Sequence, residues 1–97
     1  MQRGKNIASL KKIGIAGNYT IAGVVDEMRE ITTKKGDPMA FLKISDLTDS
    51  IEVVVFPRTY KEFKGILKPN EIFAFKGNLE RKEDGWNFLV EKIKVLN

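Results

Sequence analysis

The chain has no cysteine and no histidine. The first absence excludes disulfides and thiolate sites and fits a reducing, cytoplasmic setting. The second removes imidazole as general base and as metal ligand. No apolar run is long enough to span a bilayer, so no membrane partner is expected. Lys11 and Lys12 interrupt the only apolar stretch near the amino terminus, which argues against a signal peptide. Acidic residues are missing from positions 1–18, which hold Arg3, Lys5, Lys11 and Lys12. The thirteen later basic residues meet thirteen acidic ones, so the formal charge of +4 belongs to the lead-in and the body is neutral. A polyanionic partner needs positive potential where it lies, so local clusters must supply it. With 42% apolar and 31% charged residues, the 97-residue chain can build one core and one domain.

The sequence reads as a basic lead-in over residues 1–18 and a barrel over 19–97. Ile7, Leu10 and Ile13 fall on one side of a short helical turn that Gly14 breaks, placed to cover one barrel end. A first strand runs from about Tyr19 to Ile31, with Gly23 marking a bend or a close backbone approach. In a second strand, Met39–Leu47, the alternation puts Ala40, Leu42 and Ile44 on the core side and Phe41, Lys43 and Ser45 outside. In the third, Ile51–Phe56, Ile51, Val53 and Val55 face in, leaving Glu52, Val54 and Phe56 outside, with Phe56 expected to pack on the following helix. Pro57 opens that helix, whose Tyr60, Phe63 and Leu67 share a face until Pro69-Asn70 stops it. A fourth strand, Glu71–Arg81, and a fifth, Trp86–Val95, flank the turn Lys82-Glu83-Asp84-Gly85.

Five strands with one helix between the third and fourth describe an all-β, Greek-key oligonucleotide/oligosaccharide-binding (OB) barrel. Such barrels bind mainly through strands 2 and 3 and two neighbouring loops. Single-stranded nucleic acid is held by cations at phosphates and aromatic faces under bases. Arg29 on the first strand, Lys34 and Lys35 in the glycine-containing loop after it and Lys43 on the second strand are candidates for phosphates, with Arg58 after the third strand. Phe41 beside Lys43 is the candidate stacking ring; the competing reading has it covered by the lead-in or another subunit. Arg81, Lys82 and Trp86 are secondary candidates at the second loop, although alternation also puts Trp86 on the core side with Phe88 and Val90. Asp46 and Asp49 read as turn chemistry rather than a metal pair. No cofactor, metal or catalysis is expected.

The residues also carry a resemblance. Ile7-Ala8-x-Leu10, Ile21-Ala22-Gly23-Val24-Val25, the run Thr33-Lys34-Lys35-Gly36-Asp37-Pro38-Met39-Ala40-Phe41, Asp46-Leu47-Thr48 and Ile51-Glu52-Val53-Val54-Val55-Phe56-Pro57 are its pieces. From Asn6 to about Ile93 the chain resembles the OB module near the carboxyl end of the bacterial replicative DNA polymerase III α subunit. That resemblance implies a single-stranded DNA-binding barrel of the anticodon-binding-like group, with Lys34 and Lys35 toward the template phosphates. Nothing of a polymerase accompanies it, so a stand-alone OB protein or an excised module is expected. The implied function is binding of single-stranded DNA, with little sequence preference, in replication or repair. The alternatives are RNA or tRNA binding, and a protein-interaction module that pairs with a second copy or a replication protein.

Overall fold

A computed structural model describes residues 6–96; Met1–Lys5 of the lead-in and Asn97 lie outside the described residues. The elements run α1 (Ile7–Ile13), β1 (Gly17–Thr32), β2 (Pro38–Ser45), β3 (Ser50–Val55), α2 (Pro57–Phe63), β4 (Ile72–Lys82) and β5 (Gly85–Val95). The strands close a barrel in the order β1-β2-β3-β5-β4, the OB arrangement read from the sequence.

Closure depends on β1 serving two neighbours. Its first half, Gly17–Val24, pairs antiparallel with β4, and its second half, from Val24 onward, pairs antiparallel with β2. Gly23 sits at the changeover, beside a bulge between Val25 and Glu27. A Cβ there would lie 2.6 Å from the Ser45 carbonyl oxygen, so the glycine permits the close approach that the bend needs. β3 then runs parallel to β5, joining the two halves.

The alternation on β2 and β3 is as read: Ala40, Leu42, Ile44, Ile51, Val53 and Val55 are buried in the core. Phe73, Phe75 and Phe88 fill it from β4 and β5 and are fully buried. At three carbon-rich side chains in one small barrel, their burial contributes roughly 2–3 kcal/mol apiece.

α1 has seven residues, too few to hold a helix by itself in water. It is held by packing and by capping. Ile7 and Leu10 are fully buried, whereas Ile13, expected beside them, is 42% exposed because the helix ends there. Gly14 caps it at φ 65°, a left-handed conformation that suits glycine. At the other end the Ser9 N–H donates to Asn6 Oδ1 (2.8 Å), the Ile7 N–H to Asp46 Oδ2 (2.8 Å) and the Ala8 N–H to Thr48 Oγ1 (3.1 Å). Asp46 Oδ1 also accepts from the Thr48 N–H and hydroxyl and from the Asp49 N–H. The Asp46-Leu47-Thr48 turn is therefore the clamp for the amino-terminal helix. Burial alone would raise the Asp46 pKa, but the bonds from Thr48, Ile7 and Asp49 outweigh it and hold the carboxyl below its ordinary 3.8.

Asp46→Ala is expected to lower stability by about 1–2 kcal/mol at neutral pH, the usual cost of losing a helix cap and its charged hydrogen bonds. A depressed folded-state pKa gives stability that is complete above the unfolded value of 3.8 and is lost as pH falls through the folded value. Urea melts across that range should therefore show the gap between wild type and variant narrowing on the acid side.

α2 is shorter than its hydrophobic spacing suggested. It ends at Phe63, and a turn closed by the Ile66 N–H to the Phe63 carbonyl (3.0 Å) carries the chain on. Leu67 still reaches the core, 5% exposed, from beyond the helix, so the spacing was right and the helical reading of its last turn was not. β2 likewise ends at Ser45 rather than Leu47, and Leu47 is fully exposed in the clamp turn.

Candidate nucleic-acid interface

The register builds the outer face of the barrel row by row. Arg29 pairs with Phe41, Phe41 with Val54, and Val54 with Leu89. One turn of alternation away, Glu27 pairs with Lys43 and Lys43 with Glu52. These rows form a shallow groove of about 220 Å³ lined by Glu27, Met28, Arg29, Phe41, Leu42, Lys43 and Glu52.

Phe41 is half-buried, and the guanidinium of Arg29 lies 5.3 Å from its ring centroid. Cation and ring thus form one joint platform rather than a bare aromatic. Beneath it the surface is apolar: Val54, expected to be exposed, is only 5% exposed between Phe41 and Leu89, and Met39 is 8% exposed. The reason is lateral. The parallel β3–β5 contact brings Leu89 against Val54, which the sequence of β3 alone does not reveal. Phe56, expected to pack on α2, is instead 48% exposed at the helix N-cap.

Lys34 and Lys35 are exposed in the turn that prolongs the Arg29–Phe41 end of β1 and β2. That turn is held by the Thr33 N–H to the Asp37 carbonyl (2.8 Å) and the Gly36 N–H to the Thr33 carbonyl (2.9 Å). Lys43 is exposed but stands between two carboxylates, so its positive potential is local and weak. Lys82, from the end of β4, donates to Glu52 at 3.0 Å.

The remaining candidates lie elsewhere. The Arg81 guanidinium sits 5.4 Å from the Trp86 ring centroid. Trp86 packs partly on the core under the α1 cap, since a Cβ on Gly14 would stand 3.8 Å from its Cζ2. Arg81 and Trp86 therefore occupy the barrel mouth, and do not join Phe41. Arg58 belongs to a second groove on α2, with Lys61 and Lys64, two cations that the sequence reading passed over. Their recurrence at every third position after Arg58 was the signal available. Among the described residues no cluster of three or more carboxylates, histidines or cysteines has metal-holding geometry, and no helix is long and apolar enough to cross a membrane.

Comparison with known proteins places this geometry. The E. coli hypothetical protein ygiW superposes with a TM-score of 0.73 at 16% identity, covering 97% of this chain and 90% of that one. A mitochondrial single-stranded DNA binding protein from S. cerevisiae gives 0.67 at 13% identity, covering 84% and 96%. At these identities the likeness is one of fold. In sequence, the DNA polymerase III subunit alpha of Staphylococcus aureus (strain Mu50) is 27% identical over 93 residues, and that of Halalkalibacterium halodurans 35% over 77 residues. Those matches cover 95% and 78% of this chain but only 9% and 7% of the relatives, so the chain corresponds to their OB module. Residues 19–96 match the family profile described as an OB-fold nucleic acid binding domain, and the chain belongs to that family.

Proposed function

We propose that this domain binds single-stranded DNA along the β1–β2–β3 face, with little sequence preference, as a non-catalytic module of cytoplasmic replication or repair. The observation that carries the reading is the Arg29–Phe41 platform beside the Lys34–Lys35 turn. A base stacks on the platform, and the backbone runs toward the turn lysines; stacking accepts any base, whence the weak sequence preference. The polymerase relatives and the single-stranded DNA-binding neighbour support the choice of ligand.

Glu27 and Glu52 keep the groove itself close to neutral, so few cations carry the electrostatic contribution. Affinity is accordingly expected to be nearer micromolar than nanomolar, with about two to four counterions released. Titration of labelled oligo(dT) against wild type and Lys34→Ala/Lys35→Ala tests this. The double variant should bind more weakly, with a salt slope smaller by about 1.4, the contribution of two single-strand phosphate contacts. Equal affinity and slope for both proteins would remove the turn from the site. Competition with an RNA oligomer of the same length separates DNA from RNA preference.

A further inference from the structure

The cations of the described structure are not concentrated in the Phe41 groove. Arg58, Lys61 and Lys64 follow one another at spacings of three along α2 and its C-cap, while Tyr60 turns inward, 3% exposed. With Pro57 they line one wall of a groove of about 570 Å³, roomier than the Phe41 groove at about 220 Å³. Its other wall is Asp37 and Pro38, the residues that lead out of the Lys34–Lys35 turn into β2. The turn thus lies between the two grooves along the chain, leading from Arg29 of the first to Asp37 of the second.

Helix stability accounts for only part of this row: Lys61 in the last turn and Lys64 at the C-cap sit where the dipole favours cations, but Arg58 does not. Like charges three positions apart on a helix repel. Arg58 stands in the first turn, where the helix dipole disfavours a cation, and no acidic residue offsets it there. The ion pairs of the described residues, Lys11–Asp49 and Lys82–Glu52, involve none of the three. Lys64 instead lies over the Tyr60 ring, 5.7 Å from its centroid. The helix is also fixed in place. Tyr60 is buried in the core, and burial, with the neighbouring Glu30 carboxylate, raises the phenol pKa above its ordinary value. α2 is thus anchored on the barrel near the strand end that carries Arg29.

Resting on the single-strand reading above, we infer that the bound strand does not stop at the β1–β2 turn. It continues into the α2 groove, where Arg58, Lys61 and Lys64 meet its next phosphates.

The test compares oligo(dT) of about 8 and about 20 nucleotides, within and beyond the usual reach of one barrel. For Arg58→Gln/Lys61→Gln/Lys64→Gln, the short oligomer should bind within about twofold of wild type. The long one should weaken about tenfold or more, with its salt slope lower by about two. Lys76→Gln/Lys92→Gln/Lys94→Gln removes the same charge from the β4–β5 flank and should leave both lengths within about threefold. On unaltered protein, the long oligomer should shield Lys61 and Lys64 from acetylation and the short one should not. Equal loss for both lengths, loss for neither, an equal effect of the flank variant, or no shielding would overturn the inference. If the wild type binds neither length, the single-strand reading itself falls.

Discussion

Gly77→Ala is expected to lower the stability of the barrel by about 3 kcal/mol, the upper part of the range for overpacking a tight interior. At Gly77 the β4–β5 ladder shifts register, and Gly77 faces Val90. An added Cβ would lie 2.2 Å from the Leu89 carbonyl oxygen and 2.8 Å from the Val90 Cα. Both are backbone atoms of the neighbouring strand, so neither can rotate away. Relief requires separating β4 from β5, next to the fully buried Phe75 and Phe88. A domain of this size loses about 4–8 °C in melting temperature per kcal/mol, so the midpoint should fall by on the order of 15 °C. Gly65→Ala provides the contrast, since nothing lies within 4 Å of a Cβ there. Its stability should stay within about 0.5 kcal/mol of wild type, as for an ordinary surface change. Thermal melts followed by circular dichroism measure both, and a near-neutral Gly77→Ala would contradict the packing described.

The same ladder shows what a sequence can and cannot disclose. Ala40, Leu42, Ile44 and their counterparts on β3 were legible because one strand with one buried face repeats every second residue. The order of the strands followed from turn residues and from the helix after Pro57. Val54 was misread because its burial depends on Leu89, thirty-five positions away, and on a parallel pairing that local alternation does not encode. Asp46 was read correctly as a turn residue, but its grip on the Ile7 amide spans 39 positions and left no local mark. Ile13 and Leu67 mark the opposite error: periodicity alone assigned each to a helix face, and helix ends decided the outcome. At the site, Phe41 and Lys34–Lys35 were visible one strand at a time. The acidic flanks of Lys43 and the stacking of Arg29 on Phe41 appear only once β1, β2 and β3 are in register.

The second large effect concerns that stack. Phe41→Ala should weaken single-stranded DNA binding about 10- to 100-fold, the loss of one base–aromatic stack worth about 1–3 kcal/mol. The salt slope should stay unchanged, because no cation is removed. This separates the ring from the turn lysines, whose removal lowers slope and affinity together. Phe41→Trp keeps a larger face in the same place and should retain binding within about threefold, since stacking tolerates any flat partner. Arg29 contributes twice, as a charge and as a plane over the ring. Arg29→Lys keeps the charge and loses the plane, so it should fall between wild type and Phe41→Ala. The stability cost of Phe41→Ala should remain modest, because the ring is half-exposed and outside the main core cluster. Fluorescence anisotropy at several salt concentrations, alongside urea melts, distinguishes lost binding from lost fold.

The most direct measurement of where the ligand lies is a titration of isotope-labelled protein with unlabelled oligo(dT), followed through backbone amide shifts. Binding as described perturbs Arg29, Phe41, Val54 and the Thr33–Asp37 turn first. Shifts gathered instead on the apolar surface of Ala22, Val24, Leu47 and Ile72, or no shifts at all, would contradict it.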